Sequence, residues 1–134
     1  MGAMNILIAD SNYQDRALFK EIIYQFDRHV IVDTVSNGPE LFHRLAPSAS
    51  RPVPDLLVLQ YELPGADALQ VLERIYLLEP YTSVVKLVWG ALVNGDIVER
   101  CRKLGALQCF SKVIQPSAMK RLIKDALQTL TPVC

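Results

Sequence analysis

Neither sign of charge is in excess in this chain: across its 134 residues, fourteen Lys plus Arg stand against fourteen Asp plus Glu. Gripping several phosphates takes a concentrated basic face, and no run of Lys or Arg is long enough to make one, so nucleic acid is not expected as a partner. Long apolar runs are missing too. Although 51% of the residues are apolar, Asp, Asn, Gln, Lys or Arg interrupts every such stretch before the ~18 residues that a membrane span requires. Cysteine is scarce: Cys101, Cys109 and Cys134 are odd in number, lack zinc-like spacing, and have no acid or base near them in a nucleophile's pattern. They read as ordinary thiols of a reducing, cytoplasmic compartment. No leader segment is visible, and a lipidated start is disfavoured because Ile6 stands where Ser or Thr is wanted. Met1-Gly2-Ala3 ahead of Met4 reads as an expression scar. Residues 1–134 are expected to form one domain, long enough to bury about two-thirds of its unfolded surface without a disulfide or metal.

What is present is an alternation. Ile6 to Ala9 is an apolar run of strand length, followed by a capping-box pattern at Ser11 and Gln14 and by Leu18, Ile22 and Phe26 at helical spacing. Val30 to Val32 predicts a second strand, and Asn37-Gly38-Pro39 a turn into a helix with Leu41, Phe42 and Leu45. A loop with Pro47, Pro52 and Pro54 runs from Ala46 to Asp55. Leu56 to Leu59 is apolar at every position, as a strand covered on both faces should be. After Leu63-Pro64-Gly65, the residues Ala68, Leu72, Ile75 and Leu78 make the inner stripe of a helix stopping before Pro80. Val84 to Trp89 predicts a fourth strand, with Lys86 laying its stem on apolar surface while its head reaches water. A helix with Ile97, Val98, Cys101 and Leu104 then ends at Gly105, Leu107 to Phe110 makes a fifth strand, and Pro116 opens a helix with Met119, Leu122, Ile123, Ala126, Leu127 and Leu130 inward.

Five such βα units wind right-handed into an α/β fold, a parallel sheet with helices on both faces. Ligands and chemistry in such sheets gather beyond the carboxyl ends of the strands. That narrows the search to Asp10 and Ser11, Gln60 to Leu63, Trp89 to Ala91, and Ser111 to Val113.

Several strings along this rim resemble the receiver domain of two-component response regulators. They are Asn5-Ile6-Leu7-Ile8-Ala9-Asp10, Asn37-Gly38, Pro54 to Leu59 followed by Leu63 to Ala68, and Gly105-Ala106 ahead of Lys112. The resemblance implies the doubly wound, flavodoxin-like (βα)5 sandwich with strand order 2-1-3-4-5. It also implies transfer of a phosphoryl group from a phosphohistidine to an aspartate, assisted by Mg²⁺ on three carboxylates, with a hydroxyl and a lysine contacting the phosphoryl oxygens.

Carried over residue by residue, the pattern is largely missing. The first acidic position is Asp10, but the second is Ser11, the acceptor is Gln60, and the hydroxyl position falls on Gly90. Lys112 is retained, the following proline is Val113, and the aromatic of the conformational switch falls on Cys109. A carboxamide is a poor nucleophile, so Gln60 cannot form an acyl phosphate. With Asp10 as the one acid among the family's three positions, tight Mg²⁺ binding is not expected, and no cofactor is assigned. Glu62 could add a second charge only if it pointed the same way as Gln60.

Asp10 and Lys112 read either as a relic of the phosphoryl site or as an ion pair, and the pair is favoured because an unpaired charge there is costly. Asp67 reads as a helix N-terminal residue, and His29 and His43 as surface residues. Tyr61, Leu63, Trp89, Leu92 and Val93 make the rim apolar. Either Trp89 folds over the vacated pocket, or several of these side chains form an exposed patch for a protein partner. The leading expectation is a non-enzymatic, receiver-like signalling domain that binds a sensor kinase, an output protein or a second copy without phosphorylation. Two alternatives stay open at this level. One is a phosphorelay receiver with Ser11 or Glu62 as an unorthodox acceptor. The other is a flavodoxin-like small-molecule binder, disfavoured because Asp10 to Asp15 lacks a Gly and hydroxyl cluster to cradle phosphate.

Overall fold

The computed structural model describes residues 4–46, 52–79, 81–91, 93–112 and 116–130. Five strands alternate with five helices: β1 (Asn5–Ala9), α1 (Tyr13–Phe26), β2 (Ile31–Val35), α2 (Gly38–Leu45), β3 (Leu56–Gln60), α3 (Ala68–Ile75), β4 (Val85–Gly90), α4 (Gly95–Lys103), β5 (Gln108–Ser111) and α5 (Pro116–Leu130). All the pairings are parallel, in the order β2-β1-β3-β4-β5. This is the doubly wound, three-layer architecture expected from the sequence.

Because strand side chains alternate between faces, each strand divides its residues between two cores. Ile6, Ile8, Leu56, Val58, Leu87 and Phe110 pack with Phe19, Ile22 and Ile23 of α1 and Met119 and Ile123 of α5. Leu7, Ala9, Leu57, Leu59, Val88 and Cys109 pack with Leu41 of α2, Leu72 of α3 and Cys101 of α4. The same alternation decides which side chains meet at the carboxyl rim, because Asp10, Gln60, Trp89 and Phe110 all continue the α1–α5 face.

Several local expectations are corrected. The N-cap of α1 is Asn12, whose side chain accepts from the Asp15 amide at 2.9 Å, and not Ser11, whose hydroxyl is engaged by Gln60. The inner stripe of α1 runs through Phe19, Ile22 and Ile23, which leaves Leu18 and Phe26 exposed. Helix α3 ends at Ile75, so Leu78 is exposed. The chain then turns through Leu78 N–H to Ile75 O (3.2 Å) and Tyr81 N–H to Leu78 O (2.8 Å) into a 3-10 turn over Tyr81–Ser83. Strand β2 extends past Val32 to Val35, because it pairs with β1 residue for residue from Asn5–Ile31 to Ala9–Val35. Lys86 does not reach water. It is 3% exposed and donates to the Tyr81 carbonyl at 3.0 Å, and burial lowers its pKa.

Other signals hold. Asp67 caps α3 in a reciprocal capping box with Gln70, and Gly105 closes α4 at φ +97°, in the left-handed region that favours glycine. His29 and His43 are exposed. Pro47, Pro80, Leu92, Val113 and Cys134 lie outside the described residues.

Candidate functional site

Asp10 follows the last residue of β1 and is fully buried. Its Oδ1 accepts from the Asn12 amide at 2.8 Å, a turn imposed locally by the start of α1. Its Oδ2 accepts from the indole Nε1 of Trp89 at 2.8 Å, and Lys112 Nζ lies 3.2 Å from the same oxygen. Lys112 also bonds Asp15 Oδ2 at 2.7 Å and lies 4.7 Å from the centre of the Trp89 ring. Arg16 Nη1 donates to the Asp10 carbonyl at 2.7 Å. The carboxylate is therefore surrounded by donors. Burial acts to lower the pKa of Lys112, but the hydrogen bonds and charges of Asp15 and Asp10 outweigh it and leave the pKa raised.

Trp89 is positioned by the register of the sheet. On β4 it lies opposite Gln60 of β3 and Phe110 of β5, so its side chain projects on the face that carries Asp10. It is 1% exposed, edge-on to Phe19 at 4.0 Å between ring centres, with Phe110 at 6.1 Å. The indole is amphipathic in the required sense: its carbocycle fills the α1–α5 core and its N–H meets the buried anion.

Gln60 is buried beside this group and is engaged through Ser11. Its Oε1 accepts from the Ser11 amide at 2.7 Å and from the Ser11 hydroxyl at 2.9 Å. Gly90 points to the other face: a Cβ built there would sit 2.8 Å from the Glu62 carboxylate oxygens and from Tyr61 Cβ. Glu62 accepts from the Ala91 amide at 3.2 Å, across the carboxyl end of β4 and away from Gln60. Cys109 is also on that face, buried, and shares a hydrogen bond with the thiol of Cys101. This bond, and then burial, push the pKa of Cys109 far up, so it is held as a protonated thiol.

The structure thus brings Asp10, Lys112, Trp89, Ser11 and Gln60 together and leaves Gly90, Glu62 and Cys109 outside the group. Of the two expectations for the apolar rim of Tyr61, Leu63, Trp89, Leu92 and Val93, the described residues show Trp89 turned inward, and Leu92 lies outside them. Trp89 and Leu63 are buried at 1% and 3%, while Tyr61 and Val93 are half-buried against the α2–α4 core. The exposed aromatic at this rim is Tyr13, 75% open to solvent, with the Arg16 guanidinium 5.8 Å from its ring centre. Sequence reading also missed Asp15. Its signal was spacing: four residues before buried Phe19, it lies on the inner side of the first turn of α1.

Comparison with known proteins agrees with this architecture. The family model for the response regulator receiver domain matches residues 6–124. Sporulation initiation phosphotransferase F of Bacillus subtilis (strain 168) is 25% identical over 122 residues, which cover 91% of this chain and 92% of that protein. A protein-glutamate methylesterase/protein-glutamine glutaminase of Gluconobacter oxydans (strain 621H) is 30% identical over 110 residues, 81% of this chain but 30% of that enzyme. Among solved structures, the phosphorylated cyanobacterial phytochrome response regulator RcpA superposes with a TM-score of 0.79 at 22% identity, over 96% of this chain and 94% of that one. The signal receiver domain of a DNA-binding response regulator from Colwellia psychrerythraea 34H gives 0.77 at 19% identity, over 93% and 98%. With its parallel order 2-1-3-4-5 and a family match over most of its length, the chain belongs to the response regulator receiver domains of two-component signalling.

Proposed function

We propose that this receiver domain works by binding another protein, a sensor kinase, an output protein or a second copy, without phosphorylation of the usual aspartate and without a bound Mg²⁺. The observation that carries this reading is the hydrogen bond from Trp89 to Asp10. By register the β4 side chain beside Gln60 is Trp89 and not Gly90, so an indole takes the place where the family keeps a hydroxyl.

The residues do not fit the family's cation. Mg²⁺ demands near-octahedral oxygen ligation. Asp10 offers a carboxylate whose two oxygens already accept from Asn12, Trp89 and Lys112, and the carbonyl of Gln60 is occupied by Ser11. Lys112 supplies the positive charge that a cation would supply, so a metal ion here would face an ammonium 3.2 Å from its first ligand.

The unorthodox acceptors fare no better. The Ser11 hydroxyl donates its proton to a carboxamide oxygen, which is too weak a base to activate it. Glu62 faces Ala91 and Gly90 on the opposite side of the sheet. A fully engaged polar group of this kind rigidifies a surface, which suits a recognition module better than a switch. The test is the intact mass of the protein after incubation with acetyl phosphate and Mg²⁺. An unchanged mass, together with a complex or self-association by size-exclusion chromatography, is the expected result. A stable gain of one phosphoryl group overturns the reading.

A further inference from the structure

Of eight large hydrophobic side chains exposed on the described surface, four gather at the end of the sheet opposite Asp10: Tyr76 (41%), Leu77 (81%), Leu78 (51%) and Leu107 (41%). They come from two segments, the turn after α3 and the approach to β5, and the contacts beneath them hold the segments together. Leu107 N–H donates to Lys86 O at 2.8 Å, Lys86 Nζ to Tyr81 O at 3.0 Å, and Tyr81 N–H to Leu78 O at 2.8 Å. Gly105 lies against the Tyr76 ring, 3.7 Å from Cδ1 to where its Cβ would be. The patch therefore rests on a buried, hydrogen-bonded platform.

Taking about 200 Å² for each large side chain, the exposed fractions leave on the order of 400 Å² of apolar surface, the size at which a patch on a soluble protein marks a contact site. That is about half of one side of a standard interface, with a polar rim supplying the rest. The rim here is divided by sign. Glu73 and Glu79 flank the patch on the α3 side, and Arg102 and Lys103 of the last turn of α4 flank it on the other, all exposed. Among the described residues none of the four is in an ion pair. Arg74, which would mix the signs, is instead turned onto the Phe42 ring at 4.2 Å.

An apolar centre with acid on one edge and base on the other is complementary to itself. A two-fold axis through the patch lays the acidic edge of one copy on the basic edge of the other, which is the requirement of an isologous contact. We infer that Tyr76, Leu77, Leu78 and Leu107 form the contact between two copies of this chain. The contact lies at the amino ends of β4 and β5, so a dimer leaves the rim around Asp10 and Trp89 open in both copies. The inference does not depend on the loss of phosphoryl chemistry.

Sedimentation velocity of the full chain over a range of concentrations tests it. The expected result is a reversible dimer that Leu77→Glu and Leu107→Glu each weaken by tenfold or more, with unchanged circular dichroism showing that both variants fold. Glu79→Arg weakens the dimer, and adding Arg102→Glu to it restores the association. A chain that stays monomeric at every concentration, or a dimer that survives Leu77→Glu, overturns the inference, as does a charge exchange that restores nothing. None of these outcomes changes the phosphoryl mass test, so the two readings fail separately.

Discussion

The indole N–H of Trp89 donates to the carboxylate of Asp10 at 2.8 Å, between residues 79 apart in the chain and buried to 1% and 0% exposure. A buried carboxylate is costly unless its oxygens are satisfied, and here an apolar ring delivers a donor to it while filling the α1–α5 core. Binding any new ligand through this carboxylate would require Asp10 to exchange partners. Each partner is instead fixed by packing: Trp89 by Phe19 and Phe110, Lys112 by Asp15, and Asn12 by the start of α1.

Trp89→Phe keeps most of the ring but removes the donor, which leaves Asp10 Oδ2 to Lys112 alone. The expected loss is about 1–3 kcal/mol of unfolding free energy, the cost of under-satisfying a buried acceptor. Trp89→Ala adds a cavity and should cost about 3–5 kcal/mol. Urea denaturation measures both; a Phe variant as stable as the parent would show that the bond contributes nothing.

Lys112→Met strands Asp10 and Asp15 beside each other without a cation. Breaking a buried pair from one side costs about 3–5 kcal/mol, and the 18% exposure of the lysine places this one at the low end. The pH dependence follows from the raised pKa of Lys112. The folded state holds the proton more tightly than the unfolded chain does, so this stabilisation is fully present below the ordinary lysine value near about 10.4 and is lost as pH rises through the folded value above it. Stability curves of the parent and Lys112→Met should therefore run parallel through neutral pH and converge only in strong alkali.

Lys86 behaves in the opposite sense. Burial lowers its pKa, so the protonated folded state is penalised, and stability rises as pH climbs from the folded value toward the unfolded one. Lys86→Met removes that penalty, and the Tyr81 carbonyl keeps a bond from the Val84 amide at 3.1 Å. The variant should be about 1 kcal/mol more stable near pH 7, with the gain shrinking in alkali. Thermal melts at several pH values measure it; a destabilised variant would mean that the ammonium is held by more than one acceptor.

A carboxylate placed at position 60 alone should not confer phosphorylation. Gln60→Asp leaves Trp89 and Lys112 on Asp10 and is expected to stay unphosphorylated by acetyl phosphate with Mg²⁺. Adding Ser11→Asp and Trp89→Thr removes the indole from Asp10 Oδ2, offers Lys112 new carboxylates to pair with in place of Asp10 and sets an acidic cluster beside a hydroxyl, and this triple variant is expected to bind Mg²⁺ and gain one phosphoryl group. Intact mass and a Mg²⁺ titration of tryptophan-independent signals read the result. Phosphorylation of Gln60→Asp by itself would show that the indole does not close the site.

Much of this protein was legible without coordinates. Apolar runs such as Leu56 to Leu59, the stripe of α5 and the Gly105 stop follow from periodicity and backbone sterics, and they determined five βα units and the rim where Asp10, Ser11, Gln60 and Lys112 would converge. The chemical character of Gln60 and Ser11, a carboxamide and a hydroxyl, is likewise a property of the residues and was readable from the chain alone.

What the sequence could not decide was which face each rim residue takes. Strand side chains alternate with period 2, so a one-residue difference in register exchanges Trp89 and Gly90 between the two cores, and the sheet sets Trp89, not Gly90, beside Gln60. Only the packed sheet sets that register. It decided between a plugged pocket and an exposed patch by burying Trp89 against Asp10, brought in Asp15 from the first turn of α1, and buried the head of Lys86. These outcomes depend on contacts between residues far apart in the chain, which local propensity does not encode.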